Sequence, residues 1–239
     1  MLKIEELKIA YPYNNETHYI YPTLIVCDND LTLVDTGYPQ FMPMIEQQII
    51  QLGYSLNTLK NIIVTHYDDD HIGSLFDFKV KYPHLHIITS AIEKDALEGT
   101  TKSERLIQAE QMLEELPVSQ QAFGKEFIKQ LTHLKHVQVD QVVNNGDFIV
   151  NNECVVISTP GHTSGHISLY IPALKSIITG DAAIVENNEL AVANPHFCLD
   201  IATAQQSLKL LKEMDVETYY CYHGGTLESA MIANNKPAH

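Results

Sequence analysis

Residues 65–71 read Thr-His-Tyr-Asp-Asp-Asp-His, two imidazoles and three carboxylates within one short loop. Without a metal, such a loop crowds carboxylates whose repulsion solvent or protonation has to relieve, whereas a divalent cation gives the cluster a physical reason to exist. Neutral imidazole and carboxylate are both ordinary ligands of zinc and its neighbours. The alternative is a solvated acidic turn. Residues 59–64, Leu-Lys-Asn-Ile-Ile-Val, read as a buried strand, and 72–76, Ile-Gly-Ser-Leu-Phe, as the start of a helix, so a strand end presents the candidate ligands.

Four further segments place a metal-competent side chain in a tight turn after an apolar run. Residues 31–37 end in Asp35, Thr36 and Gly37; residues 155–166 carry His162 between Gly161 and Gly165; residues 176–181 end in Gly180 and Asp181; residues 218–225 carry His223 before Gly224 and Gly225. The glycines let the backbone turn closely. Each segment is weak alone, and the set in this order is hard to obtain by accident. In the second of them His162 is the lead ligand candidate.

With these residues in view, the sequence resembles the metallo-β-lactamase superfamily, whose hydrolases carry a His-x-His-x-Asp-His loop, then a Gly-His turn, a Gly-Asp strand end and a late histidine. The resemblance covers nearly the whole chain. It implies that His66, Asp68 and His162 hold one metal, that Asp70, His71 and His223 hold the second, and that Asp181 bridges the two. It places Asp35 as an organiser behind them. It also implies an α/β fold, a four-layer αββα sandwich of two mixed β-sheets flanked by helices. The chain departs from the pattern at Asp68, where most relatives have histidine. Two divalent ions set against Asp68, Asp70, Asp181 and a bridging hydroxide leave a formally neutral core, so Asp68 lowers the Lewis acidity of its metal and favours a harder ion. Two Zn2+ ions are the first expectation, with Mn2+ or Fe2+ as alternatives.

Metals roughly 3.5 to 4 Å apart can share one water, lower its pKa toward neutrality and supply hydroxide as nucleophile. Asp70 or a metal-bound water would then handle the proton given to the leaving group. The expected activity is cleavage of an ester, lactone or related acyl bond of a small molecule. No serine elbow of the Gly-x-Ser-x-Gly type occurs, which removes support for an acyl-enzyme route. A glutathione thioesterase is disfavoured because only a short tail follows His223, and a homoserine lactonase because Ala182, Ala183 and Ile184, rather than an early tyrosine, follow Asp181. Rival readings are a mononuclear iron oxidoreductase of the persulfide dioxygenase type and a non-catalytic metal-binding module in which Asp68 has detuned the centre.

At 239 residues and 45% hydrophobic content the chain can bury a substantial core, consistent with one large domain over 1–239. Its net charge of −15, with Arg105 as the single arginine, argues against a nucleic-acid partner, because phosphate contacts depend on clustered Lys and Arg. The opening residues lack the apolar core of a signal peptide and no run is long enough to span a membrane, so a soluble cytoplasmic protein is expected. Cys27, Cys154, Cys198 and Cys221 are widely spaced and read as buried free thiols. Cys221 lies two residues before His223 and is weighed as a further ligand, with a core role preferred.

Strand-like runs fall near residues 3–10, 18–35, 61–65, 85–89, 137–149, 153–158, 166–171, 175–180 and 217–222, with helical patterns between them. Residues 39–52 carry Phe41, Met42, Ile45, Ile49 and Leu52 at helical spacing and stop at Gly53. Asp200 can cap a helix with Ile201, Ala204, Leu208 and Leu211 on its apolar side. A helical insertion at about 92–135 reads as two amphipathic helices, 103–116 and 119–134, split by Pro117. It can pack on the sheet, cap the site or form a homodimer contact. Tyr38, Tyr67, His196, Phe197 and Tyr222 adjoin the proposed metal loops and can line a pocket, and His166 is read as packing behind the ligands. His18, His84, His86, His133, His136 and His239 are assigned ordinary structural or surface roles.

Overall fold

A computed structural model describes residues 1–234, so His239 lies outside the described residues. The first half of the chain supplies β1 (Leu2–Glu6), a hairpin of β2 (Ile9–Tyr13) and β3 (Glu16–Ile20), then β4 (Thr23–Cys27), β5 (Asp30–Val34), β6 (Leu59–Ile63), β7 (His86–Ser90) and β8 (Gln141–Val143). The second half supplies β9 (Phe148–Ile149), β10 (Cys154–Ser158), β11 (Ile167–Ile171), β12 (Ser176–Gly180), a hairpin of β13 (Ile184–Glu186) and β14 (Glu189–Ala191), then β15 (Thr218–Cys221) and β16 (Gly225–Glu228). They form two six-stranded sheets, ordered β1-β4-β5-β6-β7-β8 and β16-β15-β12-β11-β10-β9. Both sheets are mixed: β5 to β8 run parallel in the first, and β12 pairs parallel with β15 in the second.

The central strands read as unbroken apolar runs because both of their faces are covered. Successive residues of a strand point to opposite faces. Leu33, Ile62 and Ile87 accordingly join Ile45, Ile49 and Phe78 in an outer layer with helices α1 (Met42–Gln51) and α3 (Leu75–Lys81). Their neighbours Val34, Ile63 and Ile88 turn inward and meet Val156, Leu169 and Ile178 of the second sheet. On the far side Ile177 and Tyr219 pack on Leu211 of α7 (Ile201–Glu213). The result is the expected helix, sheet, sheet, helix order. The short helix α2 (Asp69–Ile72) lies inside the metal-loop segment, and α8 (Ser229–Asn234) follows the last strand.

Between β7 and β8 run α4 (Ala91–Leu97), α5 (Glu104–Glu115) and α6 (Val118–Thr132). Ala109 and Leu131 bury their side chains in the same outer layer as α1 and α3. Ser103 caps α5 by accepting a hydrogen bond from the Leu106 amide at 3.1 Å, and Pro117 directly precedes α6. Asp200 caps α7 as the sequence predicts, accepting from the Thr203 amide at 3.1 Å.

The predicted strand over 18–35 is three strands. Pro22 lies between β3 and β4, and a turn with Asp28 at φ 56° separates β4 from β5. The predicted strand over 3–10 likewise splits at Leu7 and Lys8. Strands β13, β14 and β16 lie in stretches read without strand character. Asn187 and Asn188 take φ 52° and 61°, the left-handed pair that closes a two-residue hairpin. No helix among the described residues is long and apolar enough to cross a membrane.

Candidate metal centre

All seven sequence-predicted ligands converge on one end of the two sheets. His66, Asp68, Asp70 and His71 follow β6, His162 follows β10, Asp181 follows β12 and His223 follows β15. Carboxyl ends of parallel strands are where open α/β sheets gather their ligands. Asp68 Oδ2 lies 3.4 Å from His66 Nε2 and 3.0 Å from His162 Nε2, while Asp70 Oδ2 lies 3.7 Å from His71 Nε2 and 3.1 Å from His223 Nε2. Asp181 spans both trios, with Oδ1 at 3.4 Å from His71 Nε2 and Oδ2 at 3.4 Å from His162 Nε2. Donors bound at about 2.1 Å to one tetrahedral ion stand roughly 3.4 Å apart, so these spacings suit metal ligands.

The protein aims the histidines by holding their other ring nitrogen. His71 Nδ1 lies 2.8 Å from Asp35 Oδ2, and Asp35 also accepts from the Thr65 amide at 2.9 Å and the Thr65 hydroxyl at 2.8 Å. His66 Nδ1 lies 3.0 Å from Thr65 Oγ1, whose own proton goes to Asp35, so His66 donates there. Both rings therefore carry hydrogen on Nδ1 and turn the Nε2 lone pair inward. His66 Nε2, His71 Nε2 and Asp181 Oδ1 are fully buried and have no hydrogen-bond partner. Orphaned buried acceptors of this kind are costly and call for a ligand. A divalent metal fits them: His66, Asp68 and His162 form one group, Asp70, His71 and His223 a second, and His66, His71 and Asp181 a third, with ligand atoms within 4.8 Å of one another in each.

His166 sits behind the centre rather than in it. Its Nε2 accepts from the Asp181 amide at 2.9 Å, which puts its proton on Nδ1, 2.8 Å from Thr159 Oγ1. Thr159 passes the chain to Ser168, whose hydroxyl donates to the Thr179 carbonyl at 3.0 Å. Burial and the neighbouring His66 and His162 keep His166 well below the usual histidine range, in keeping with a neutral ring.

Burial by itself pushes the Asp181 carboxyl up, but His223, His71 and His162 around it bring it well below the usual range. Asp68 behaves likewise: desolvation is opposed first by Arg105 and then by His162 and His66. Asp69 is different. Burial and the adjacent Asp70 and Asp68 push it up to about 8, its Oδ2 is held by the Gln130 amide of α6, and it joins none of the metal-competent groups among the described residues.

Arg105 is the functional residue that sequence reasoning missed. Its guanidinium, 2% exposed, forks onto Asp68: Nε donates to Oδ1 at 2.9 Å and Nη2 to Oδ2 at 2.7 Å. Nη2 also lies 3.1 Å from His162 Nε2, and Nη1 donates to Gln108 Oε1 and to the Phe197 carbonyl. The formal charge count that favoured a harder metal omitted this cation. Asp68 and Arg105 together carry the same net charge as one neutral histidine. The signal available in the sequence was the departure itself, since a buried extra carboxylate needs a counter-charge and the chain has one arginine to offer.

The remaining candidates divide. Tyr222 lies against His71, ring centroids 4.0 Å apart, and its hydroxyl donates to the Asp70 carbonyl. Phe197 holds Arg105 through its carbonyl and its ring, whereas His196 is exposed. Tyr67 is buried, and Tyr38 is half-buried with Tyr11 and Phe41. Cys221 packs in the layer beneath α7 with Leu211 and Tyr219, the core role preferred for it, and all four cysteines are buried and unpaired. His18, His84, His86, His133 and His136 join none of the metal-competent groups among the described residues.

The metallo-beta-lactamase superfamily model matches residues 17–223, and the chain belongs to that superfamily. It is 29% identical over 161 residues to the uncharacterized protein YobT of Bacillus subtilis, a match covering 66% of this chain and 60% of that one. It is 25% identical over 216 residues to the probable metallo-hydrolase YflN of the same organism, covering 82% and 76%. A hydroxyacylglutathione hydrolase of Chelativorans sp. is 36% identical over 98 residues, only 40% of this chain and 36% of that one. Among solved structures, the metallo-beta-lactamase family protein TTHA1429 from Thermus thermophilus aligns with a TM-score of 0.71 at 18% identity, over 96% of this chain and 76% of that one, a likeness of fold.

Proposed function

We propose that the protein is a hydrolase that uses two divalent ions, zinc foremost, to cleave an ester, lactone, thioester or related acyl bond of a small molecule. The observation that carries this reading is the set of three orphaned acceptors, His66 Nε2, His71 Nε2 and Asp181 Oδ1, at the middle of seven converging donors. Paired divalent ions, when bound, act as Lewis acids toward the scissile carbonyl and bring the pKa of water toward neutrality. The chain's own groups do the rest. Asp35 and Thr65 hold His71 and His66 in the tautomer that offers Nε2. Asp70 would take and return the proton needed by the leaving group. The names of metallo-hydrolase and acylglutathione hydrolase relatives support hydrolysis, and the net charge of −15 favours a small neutral or weakly charged substrate over nucleic acid.

The test is hydrolysis by metal-loaded protein across ester, lactone, thioester and phosphodiester panels, with Asp181→Ala in parallel. Turnover of an acyl substrate that disappears in the variant, together with two bound ions in wild type, supports the reading. Complete inactivity of wild type carrying two ions contradicts it and favours a binding module.

A further inference from the structure

The two candidate positions are built unequally. At the position bounded by Asp70, His71 and His223 with Asp181, His71 Nε2 and Asp181 Oδ1 have no partner at all. At the position bounded by His66, Asp68 and His162, only His66 Nε2 is orphaned. There Asp68 Oδ2 and His162 Nε2 both face Arg105 Nη2, at 2.7 and 3.1 Å. A cation already stands beside two of the three donors.

We infer that Arg105 ranks the two positions: the one at Asp70, His71 and His223 fills first and tightly, and the one at His66, Asp68 and His162 fills second, against the guanidinium. This rests on the seven residues forming a two-ion site. Arg105 is fixed rather than mobile. Its N–H groups donate to Asp68, Gln108 and the Phe197 carbonyl, Nη2 also lies 3.1 Å from His162 Nε2, and its planar fork matches the Asp68 carboxylate in the bidentate way that a lysine cannot. An ion entering the second position must share Asp68 Oδ2 with that fork and draw His162 Nε2 out of its contacts with Nη2 and Asp68 Oδ2, 3.1 and 3.0 Å away. It also sits within a few ångströms of a buried positive charge, where screening is weak. Arg105 is therefore a positioning residue whose effect is on occupancy. It is carried by α5, so the helical insertion between β7 and β8 reaches Asp68 through this side chain.

The experiment is calorimetric titration of the metal-free protein with Zn2+, paired with elemental analysis after dialysis against buffered free zinc. Wild type is expected to bind in two steps at least tenfold apart and to keep one ion per chain at the lower free-zinc settings. His223→Ala should remove the tight step and His162→Ala the weak one. Arg105→Gln should tighten the weak step at least tenfold, so that the two steps merge. Because that variant leaves Asp68 without its partner, the Asp68→His and Asp68→His/Arg105→Gln pair supplies the second measurement. The single change strands the guanidinium among imidazoles and should abolish the weak step, and the double change should restore it. Two equally tight ions in wild type, the reverse assignment of the steps, or a weak step that Arg105→Gln leaves unchanged or weakens would overturn the inference. Two equally tight ions with intact acyl hydrolysis would do so while leaving the proposed function standing, whereas failure to bind zinc at all would remove both.

Discussion

Asp35 sits behind His71 at the end of β5 with φ 62°, and its two oxygens accept three hydrogen bonds, from His71 Nδ1 and from the amide and hydroxyl of Thr65. Asp35→Asn keeps the shape but puts an N–H where one of those donors already points. It is expected to cost about 2–3 kcal/mol of stability and to weaken zinc retention by about 10–100-fold, read by thermal melting and by competition with a chelator. Unchanged retention would mean that His71 needs no such support. Glu93, buried beneath the metal loop, accepts from the Tyr67 amide at 3.0 Å and from Thr163 Oγ1 at 2.6 Å, and burial pushes its carboxyl up to about 7 from an ordinary 4.5. Below the ordinary value it is protonated in both folded and unfolded chains. Between 4.5 and 7 the folded protein keeps a proton that the unfolded chain has lost, so stability falls as pH rises through that window and levels off above it. Glu93→Gln should remove this term, and the stability gap between variant and wild type should grow by on the order of 2–3 kcal/mol from pH 5 to pH 8. Denaturant melts of metal-free protein at both pH values check it, and a gap independent of pH counts against the assignment. The ligands themselves could be read from sequence because each sits in a turn beside glycine or in the acidic loop. Arg105 is marked only indirectly, by the departure at Asp68, because it lies 37 positions away in a helix whose pattern reports only its apolar side.

Gly161 shows how an element is tied to the centre. It precedes His162 at φ +127°, and a Cβ there would come within 2.1 Å of the Ala204 amide nitrogen in the first turns of α7. Helix and ligand turn thus touch backbone to backbone, and the Asp200 amide returns a hydrogen bond to the Gly161 carbonyl at 2.9 Å. Gly161→Ala should destabilise the protein by about 2–4 kcal/mol through strain and overpacking and should weaken zinc binding at the His162 position below its wild-type strength while leaving the other position unchanged, as calorimetric titration of both proteins would show. Strands buried on two faces, such as those carrying Leu33–Val34 and Ile62–Ile63, announce themselves as apolar runs, and the capped helices α5 and α7 by Ser103 and Asp200. The small hairpin of β13 and β14 does not, because three-residue strands are too short to show a period and only the Asn187-Asn188 turn marks it.

Across the molecule, residues as far apart in sequence as His66 and His223 meet because β6 and β15 each lie beside a parallel neighbour and open at the same end of facing sheets. The inter-sheet layer of Val34, Ile63, Ile88, Val156, Leu169 and Ile178 fixes that facing, so the core sets where the donor-bearing strand ends meet. The layered order was readable from the pattern of apolar runs together with the family likeness. The unequal treatment of the two positions was not, since it depends on where α5 is set down. A crystal structure of zinc-loaded protein with anomalous data on both sides of the zinc edge decides the matter. Two peaks are expected, one among His66, Asp68 and His162 and one among Asp70, His71 and His223, with Asp181 between them. Zinc bound elsewhere, or no anomalous peak at these residues in protein shown by solution analysis to carry the metal, would contradict it.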